Sequence, residues 1–427
     1  MFTLAFLDPG HFHAALTLRE RHPLVREEVF VYARPGAELE AFLGLVQAFN
    51  ARAGRPTAWR PQVWRGADPL ERLIADGRAD AVVLAGRNDR KMAAIARLHA
   101  AGVHVLADKP WVRGLEDLPH LDAATDGEGA LVMDIMTSHH ELTSILQHKL
   151  VALPEVFGAF RTDDPAQPAI AFDSIHTLYK RVNGAPLVRP LWYFDVRVQG
   201  DGLVDIPTHL ADLAQWLLGG GPFDFARDVR LESARLWSTP VPPERFTQIT
   251  NAPAYPPEVA PWVQDGTLEL PSNGELRYRL RGVPVWLRSV WLLEQPAGGG
   301  DTKQVHLRGT RADVIVREGP ETGYVAELSV HPHAGERGVE AALRAAVAGW
   351  QAELPGLAVV PETDGALRLD APAALRTGHE AHFARELDAF LGHLQAGTRP
   401  AGLAADLRCK YTLLARASAL ARETRGQ

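Results

Sequence analysis

The chain has 427 residues, 46% of them hydrophobic and 23% charged, with a net charge of −7. That length exceeds what one core normally takes and predicts two or three domains, while the acidic balance and scattered Lys and Arg exclude nucleic acid or an anionic membrane as the main partner. A single cysteine, Cys409, excludes intrachain disulfides and every multi-cysteine metal site.

Residues 2–7 (FTLAFL) read as a short buried strand that turns at LDPGH into a helix over 12–20. Strands at 29–33, 61–64, 79–86, 103–110 and 130–136 then alternate with helices at 37–51, 68–76, 89–101 and 114–125. Their continuous Val, Leu and Ala runs mark strands covered on both faces, which predicts a doubly wound parallel sheet of the α/β class. Beyond residue 137 the texture changes. A helix over 139–151 and a helical segment over 173–183 are followed by another helix opening at Pro207, and the proline-dense stretch 239–262 reads as an irregular surface excursion. Partial period-2 patterns over 276–295 and 302–318, split by GGGD at 298–301, predict an antiparallel meander with one packed face. The tail returns to helix at 337–352, 378–396 and 402–424. No apolar run is long enough to cross a bilayer, and MFTLAFLDPG has neither the basic start nor the length of a secretory leader. A soluble, cytoplasmic protein is the expectation.

Three segments carry chemistry. In ADAVVLAGRNDRKMAAIARLHAAGVHVLADKPWV (79–112) the triplet Asp108-Lys109-Pro110 closes a strand, and a Lys at the carboxyl end of a parallel strand points into the crevice where such sheets bind ligands. In Gly202-Leu-Val-Asp205-Ile-Pro207-Thr-His209-Leu-Ala-Asp212, Pro207 suits the first turn of a helix and places His209 in that turn. A helix N-terminus disfavours imidazolium, so His209 is expected neutral and able to act as a general base, with Asp205 as N-cap or as the group that sets its tautomer. The third segment is the first turn, where Asp8, Gly10 and His13 follow the opening strand.

Together these segments resemble the Gfo/Idh/MocA family of nicotinamide-dependent oxidoreductases, which act mostly on sugars, polyols and related hydroxyl compounds. The resemblance implies a dinucleotide-binding Rossmann domain over 1–137. It also implies a substrate-binding and oligomerisation domain of the α+β class over 138–427, with a large, mostly antiparallel open sheet and C-terminal helices that pack back on the first domain. It implies Lys109, His209 and Asp205 as catalytic residues, and Asp8, Gly10, His11, Phe12, Arg34, Asn88 and Lys109 at the cofactor. Of the family's G-x-G-x-x-G only Gly10 remains, with Asp8 and His13 at the other two places. Ala33 followed by Arg34 stands where NAD-preferring relatives keep an acid, which favours NADP over NAD. Lys91 replaces a family histidine, and MTSHHE (136–141) stands where an arginine is often found.

Lys91, together with His176 and Lys180 four residues apart, are candidate substrate contacts, against the simpler reading of His176 and Lys180 as a solvated helix face. The close pairs His11/His13, His139/His140 and His331/His333 lack a third ligand at helical or hairpin spacing, and no HExxH occurs, so no metal is expected. A Ser-His-Asp hydrolase is not expected without a G-x-S-x-G elbow. The expected function is hydride transfer between NADP or NAD and a hydroxyl or carbonyl of a sugar-like molecule, in a homodimer or homotetramer. The alternatives are a non-catalytic nucleotide- or sugar-binding regulator on the same scaffold, and an NAD-assisted glycosidase.

Overall fold

The computed structural model describes residues 1–425 apart from 128, 165, 183–184 and 296–297. Six strands, β1 (Leu4–Leu7), β2 (Glu28–Ala33), β3 (Arg60–Arg65), β4 (Ala81–Leu84), β5 (His104–Ala107) and β6 (Val132–Asp134), form a parallel sheet in the order β3-β2-β1-β4-β5-β6. Between them run α1 (Phe12–Leu16), α2 (Ala37–Ala51), α3 (Pro69–Asp76), α4 (Lys91–Ala100) and α5 (Leu118–Ala124). β1 and β4 are buried throughout, as continuous apolar strands between two helical layers must be. The strand order reverses between β1 and β4, which opens a crevice at their carboxyl ends.

After α6 (Leu142–Val151) the chain enters a ten-stranded sheet through β7 (Ile170–Tyr179). The short ribbon β8 (Arg181–Val182) and β9 (Ala185–Pro186) leads to α7 (Val196–Gln199), α8 (Pro207–Leu218) and α9 (Phe225–Asp228). Then come β10 (Val229–Val241), α10 (Pro243–Thr250), β11 (Val263–Gln264), β12 (Thr267–Leu280), β13 (Val283–Glu294), β14 (Thr302–Arg308), β15 (Ala312–Glu318) and β16 (Glu327–Pro332). The chain ends with α11 (Val339–Gly349), β17 (Ala358–Pro361), β18 (Leu367–Asp370), α12 (His379–Ala396) and α13 (Leu403–Arg425). The sheet order is β10-β12-β13-β7-β14-β15-β16-β18-β17, with β11 on β12, and every pairing is antiparallel except β13 with β7.

Four sequence expectations need correction. Residues 173–179 form part of strand β7, not a helix, because Phe172, Ser174 and Leu178 face a core built by β13 and β14. β7 therefore inserts between β13 and β14, and the expected meander is split. The proline-dense stretch is not irregular surface: it holds the end of β10 and the helix α10, and Val241, Phe246, Ile249 and Val259 close a buried cluster with Phe194 and Trp291. The helix expected over 139–151 is present as α6 but starts later, at Leu142, after a short 3-10 turn, Thr137–His140. The strand β10 and the hairpin β17–β18 had no clear signal in the sequence.

The last helices return to the first sheet. Phe383, Leu387, Phe390 and Leu391 of α12 share a core with Leu4, Phe6, Val29 and Val83, while α13 packs on α5, α8 and β10.

Candidate active site

Lys109 leaves β5 at the crevice and Asp205 lies just before α8, and the fold brings Lys109 Nζ to 2.5 Å from Asp205 Oδ1. Both side chains are about nine-tenths buried, so the pair is held in surroundings where water screens it weakly. Pro207 takes the first turn of α8 as expected, and His209 follows in that turn. Asp205 is neither the N-cap nor a partner of His209: the cap position is Ile206, and the His209 ring faces Ser138, with Nδ1 3.4 Å from Oγ. Burial, reinforced by the nearby Lys109 ammonium, holds His209 well below the ordinary histidine range. It is neutral at pH 7.

A cavity of about 480 Å³ opens over the carboxyl ends of β1, β2 and β4, lined by Asp8, Ala33, Arg34, Glu38, Gly86 and Arg87 among others. Its position at the strand-order reversal fits the adenosine end of a dinucleotide. Gly86 has no room for a side chain, since a Cβ there would lie 2.5 Å from the Asp8 carbonyl oxygen. The phosphate end is less open. A Cβ on Gly10 would lie 2.6 Å from a Glu38 carboxylate oxygen, and the Gly10 and His11 N–H groups both donate to the Ala85 carbonyl at 3.1 Å. Burial, with Asp8 close by, pushes the Glu38 carboxyl up against the pull of Arg87. Asp8 pairs with the Arg34 guanidinium and accepts the Arg34 backbone N–H at 2.9 Å. A dinucleotide pyrophosphate at Gly10 would require the Glu38 side chain to move aside.

The remaining expected residues divide. Asn88 is buried, donates to the Gln199 carbonyl at 2.9 Å and leaves its Oδ1 without a partner. Phe12 is exposed on the first turn of α1. Lys91 is buried at the edge of the cavity, donates to the carbonyls of Asp108 (2.7 Å) and Pro110 (3.3 Å), and burial lowers it to about 8. Its work is to hold the turn that carries Lys109. His176 and Lys180 do share a face, because a period of two also aligns positions four apart, and both contact Asp301, at 3.2 and 3.0 Å. Burial acts to raise the Asp301 carboxyl, but His176 and Lys180 outweigh it and bring it down to about 2.

Sequence reasoning missed a charged network behind His209. Lys410, fully buried on α13, binds Asp134 (2.7 Å) and Asp212 (2.6 Å), with Tyr411 donating to Asp134 at 2.7 Å and His139 against Asp212 at 2.6 Å. Burial opposes the Lys410 charge, and the two carboxylates outweigh burial and raise it. The signal was present: Lys410 falls at helical spacing with the buried Leu407 and Leu414, on the face a helix turns inward.

The fold and site define a two-domain Rossmann-type protein with a Lys–Asp pair and a neutral histidine at the crevice. The family described as "Putative oxidoreductase C terminal domain" matches residues 146–422, and the chain belongs to it. A putative oxidoreductase from Parabacteroides merdae ATCC 43184 is 36% identical, with 99% of this chain and 98% of that one aligned at a TM-score of 0.95. The 1,5-anhydro-D-fructose reductase of Ensifer adhaerens is 25% identical over 175 residues, 40% of this chain and 48% of that protein, so the match spans about half the length of this curated relative. A levoglucosan dehydrogenase solved with NADH and levoglucosan shares the fold, at a TM-score of 0.62 and 16% identity, over 99% of this chain and 97% of that one.

Proposed function

We propose that the protein is an NAD(P)-dependent oxidoreductase that interconverts a hydroxyl and a carbonyl on a sugar, polyol or related small molecule. The observation that carries this reading is the buried contact of Lys109 with Asp205 beside a neutral His209. A partial sequence relative is named as a 1,5-anhydro-D-fructose reductase, and a protein of the same fold was solved with NADH and levoglucosan, which supports the substrate class. A bound nicotinamide would supply the hydride acceptor or donor. In the tautomer that carries its proton on Nδ1, facing the Ser138 hydroxyl, Nε2 is the basic nitrogen and accepts the proton of the substrate hydroxyl. The Lys109 ammonium stabilises charge developing on the same oxygen, and Asp205 fixes the ammonium in place. The pairing of Arg34 with Asp8 puts an acid at the end of β2 in space, if not in sequence, so NAD is the cofactor we favour over NADP. We also propose self-association through the outer face of the large sheet, where Trp286, Val290 and Leu292 keep partial exposure.

The test is a screen of purified protein against sugars, sugar acids and inositols with NAD and NADP, read by nicotinamide absorbance. Turnover with one of them is expected. A second reading, a non-catalytic regulator, draws on the Glu38 carboxylate over Gly10. Failure of tryptophan fluorescence to respond to millimolar NADH and NADPH would favour it and end the dehydrogenase reading.

A further inference from the structure

We infer that the crevice also holds a divalent transition-metal site of zinc type, built by His11, His13 and Asp108. One donor atom from each of the three lies within 4.8 Å of the others, a cluster found among the described residues. The third ligand absent from the sequence spacing is supplied by the end of β5, 95 residues after His13. The two imidazoles stand edge to face, their centres 4.1 Å apart. Both Nδ1 atoms lie near the same oxygen, Asp108 Oδ2, at 2.8 Å for His13 and 3.7 Å for His11, and His11 Nδ1 also accepts the His13 backbone N–H at 3.4 Å, a contact a metal would replace. These spacings bracket the edge of about 3.3 Å expected for a tetrahedral zinc with ligands at about 2.0–2.1 Å.

Two imidazoles crowd one carboxylate oxygen here, one of them in hydrogen-bond contact with it. His306 and His333 flank Asp313 in the same chain, but each takes a different carboxylate oxygen, Oδ2 and Oδ1, and no shared centre lies between them. Asp108 Oδ1 accepts the Lys109 N–H at 3.0 Å, an outer contact that turns Oδ2 toward the histidines. Phe383 packs against the His13 ring at 4.4 Å, and His379 stands beyond it at 5.8 Å. The nearby cations are already engaged, Lys109 by Asp205 and Lys91 by the Asp108 and Pro110 carbonyls. Three protein ligands leave a fourth position for water or substrate, which sets a Lewis acid beside Lys109. His11 is shared with the residues expected at the cofactor, and metal uptake is read on protein without nucleotide.

The experiment uses untagged, full-length protein stripped with a chelator and titrated with ZnCl₂ by calorimetry, with Co²⁺ visible absorption as a report on coordination. One equivalent per chain at micromolar affinity or tighter is expected, with a zinc-dependent rise in Tm. His11→Ala and His13→Ala should each weaken binding at least about tenfold, while His333→Ala leaves it unchanged. Melts without zinc establish that the variants fold, and H11Q and H13Q carry the test where alanine does not fold. No uptake at micromolar zinc, or undiminished uptake in the folded His11 and His13 variants, overturns the proposal.

Discussion

Lys109 and Asp205 lie 96 residues apart in the chain and meet at 2.5 Å, locking the end of the parallel sheet to the first turn of α8. Lys109→Ala removes the cation from the site and leaves Asp205 buried without a partner. A fall in kcat/KM of about 10²–10³ is expected, together with a loss of about 3 kcal/mol of stability. Asp205→Asn should reduce kcat more than it raises KM, since it frees Lys109 without deleting it. Steady-state kinetics and urea melts on the same preparations check both.

His209 titrates below its ordinary value of about 6.5. The unfolded chain therefore takes up its proton first as pH falls, and stability is full above about 6.5 and lost progressively below it, by up to about 1.4 kcal/mol per pH unit. Activity follows the same sign, with an acid limb in kcat/KM that lies below 6.5. His209→Gln should remove that limb and most of the rate; an unaltered limb in this variant would assign the titration to another group.

Glu38 covers Gly10 where a pyrophosphate approaches the backbone. Glu38→Gln removes the charge and Glu38→Ala removes the obstruction, so both should tighten NADH binding, by about tenfold for 1.4 kcal/mol of relief. Tryptophan fluorescence titration measures it.

Asp8 occupies Arg34. Asp8→Asn frees the guanidinium for a 2′-phosphate and removes the acid from the ribose, so the ratio of NADPH to NADH affinity should rise about tenfold. The two titrations run side by side give the ratio directly.

Lys410 neutralises Asp134 and Asp212 at once in a site closed to water. Lys410→Met leaves two buried carboxylates facing each other, and a loss of about 3–5 kcal/mol is expected. A denaturant midpoint shift with an unchanged slope would show the loss lies in the folded state.

The parallel sheet was legible because its strands are short apolar runs between helix-length segments, and Lys109 was legible because such a sheet puts strand ends at its crevice. Pro207 marked the start of α8 correctly. What stayed hidden depended on distant partners. The stretch FDSIHTLYK has helical spacing of Phe172, Ile175 and Tyr179, yet β13 on one side and β14 on the other make it a central strand. Lys91 looked like a crevice residue from its place in the motif, and only the folded turn shows its ammonium buried among carbonyls. His11 and His13 lacked a third ligand within hairpin or helix reach, and Asp108 comes from another strand.

The hydrophobic seam between α12 and the first sheet has a consequence for how the protein is made. Leu4, Phe6, Val29 and Val83 are covered partly by α1 and α2 and partly by Phe383, Leu387, Phe390 and Leu391, so part of one face of the first sheet stays bare until α12 has left the ribosome. Nascent Rossmann strands would wait, exposed, for some three hundred residues of later synthesis at about 5–20 residues per second. That interval is where chaperone dependence and aggregation of destabilised variants should concentrate.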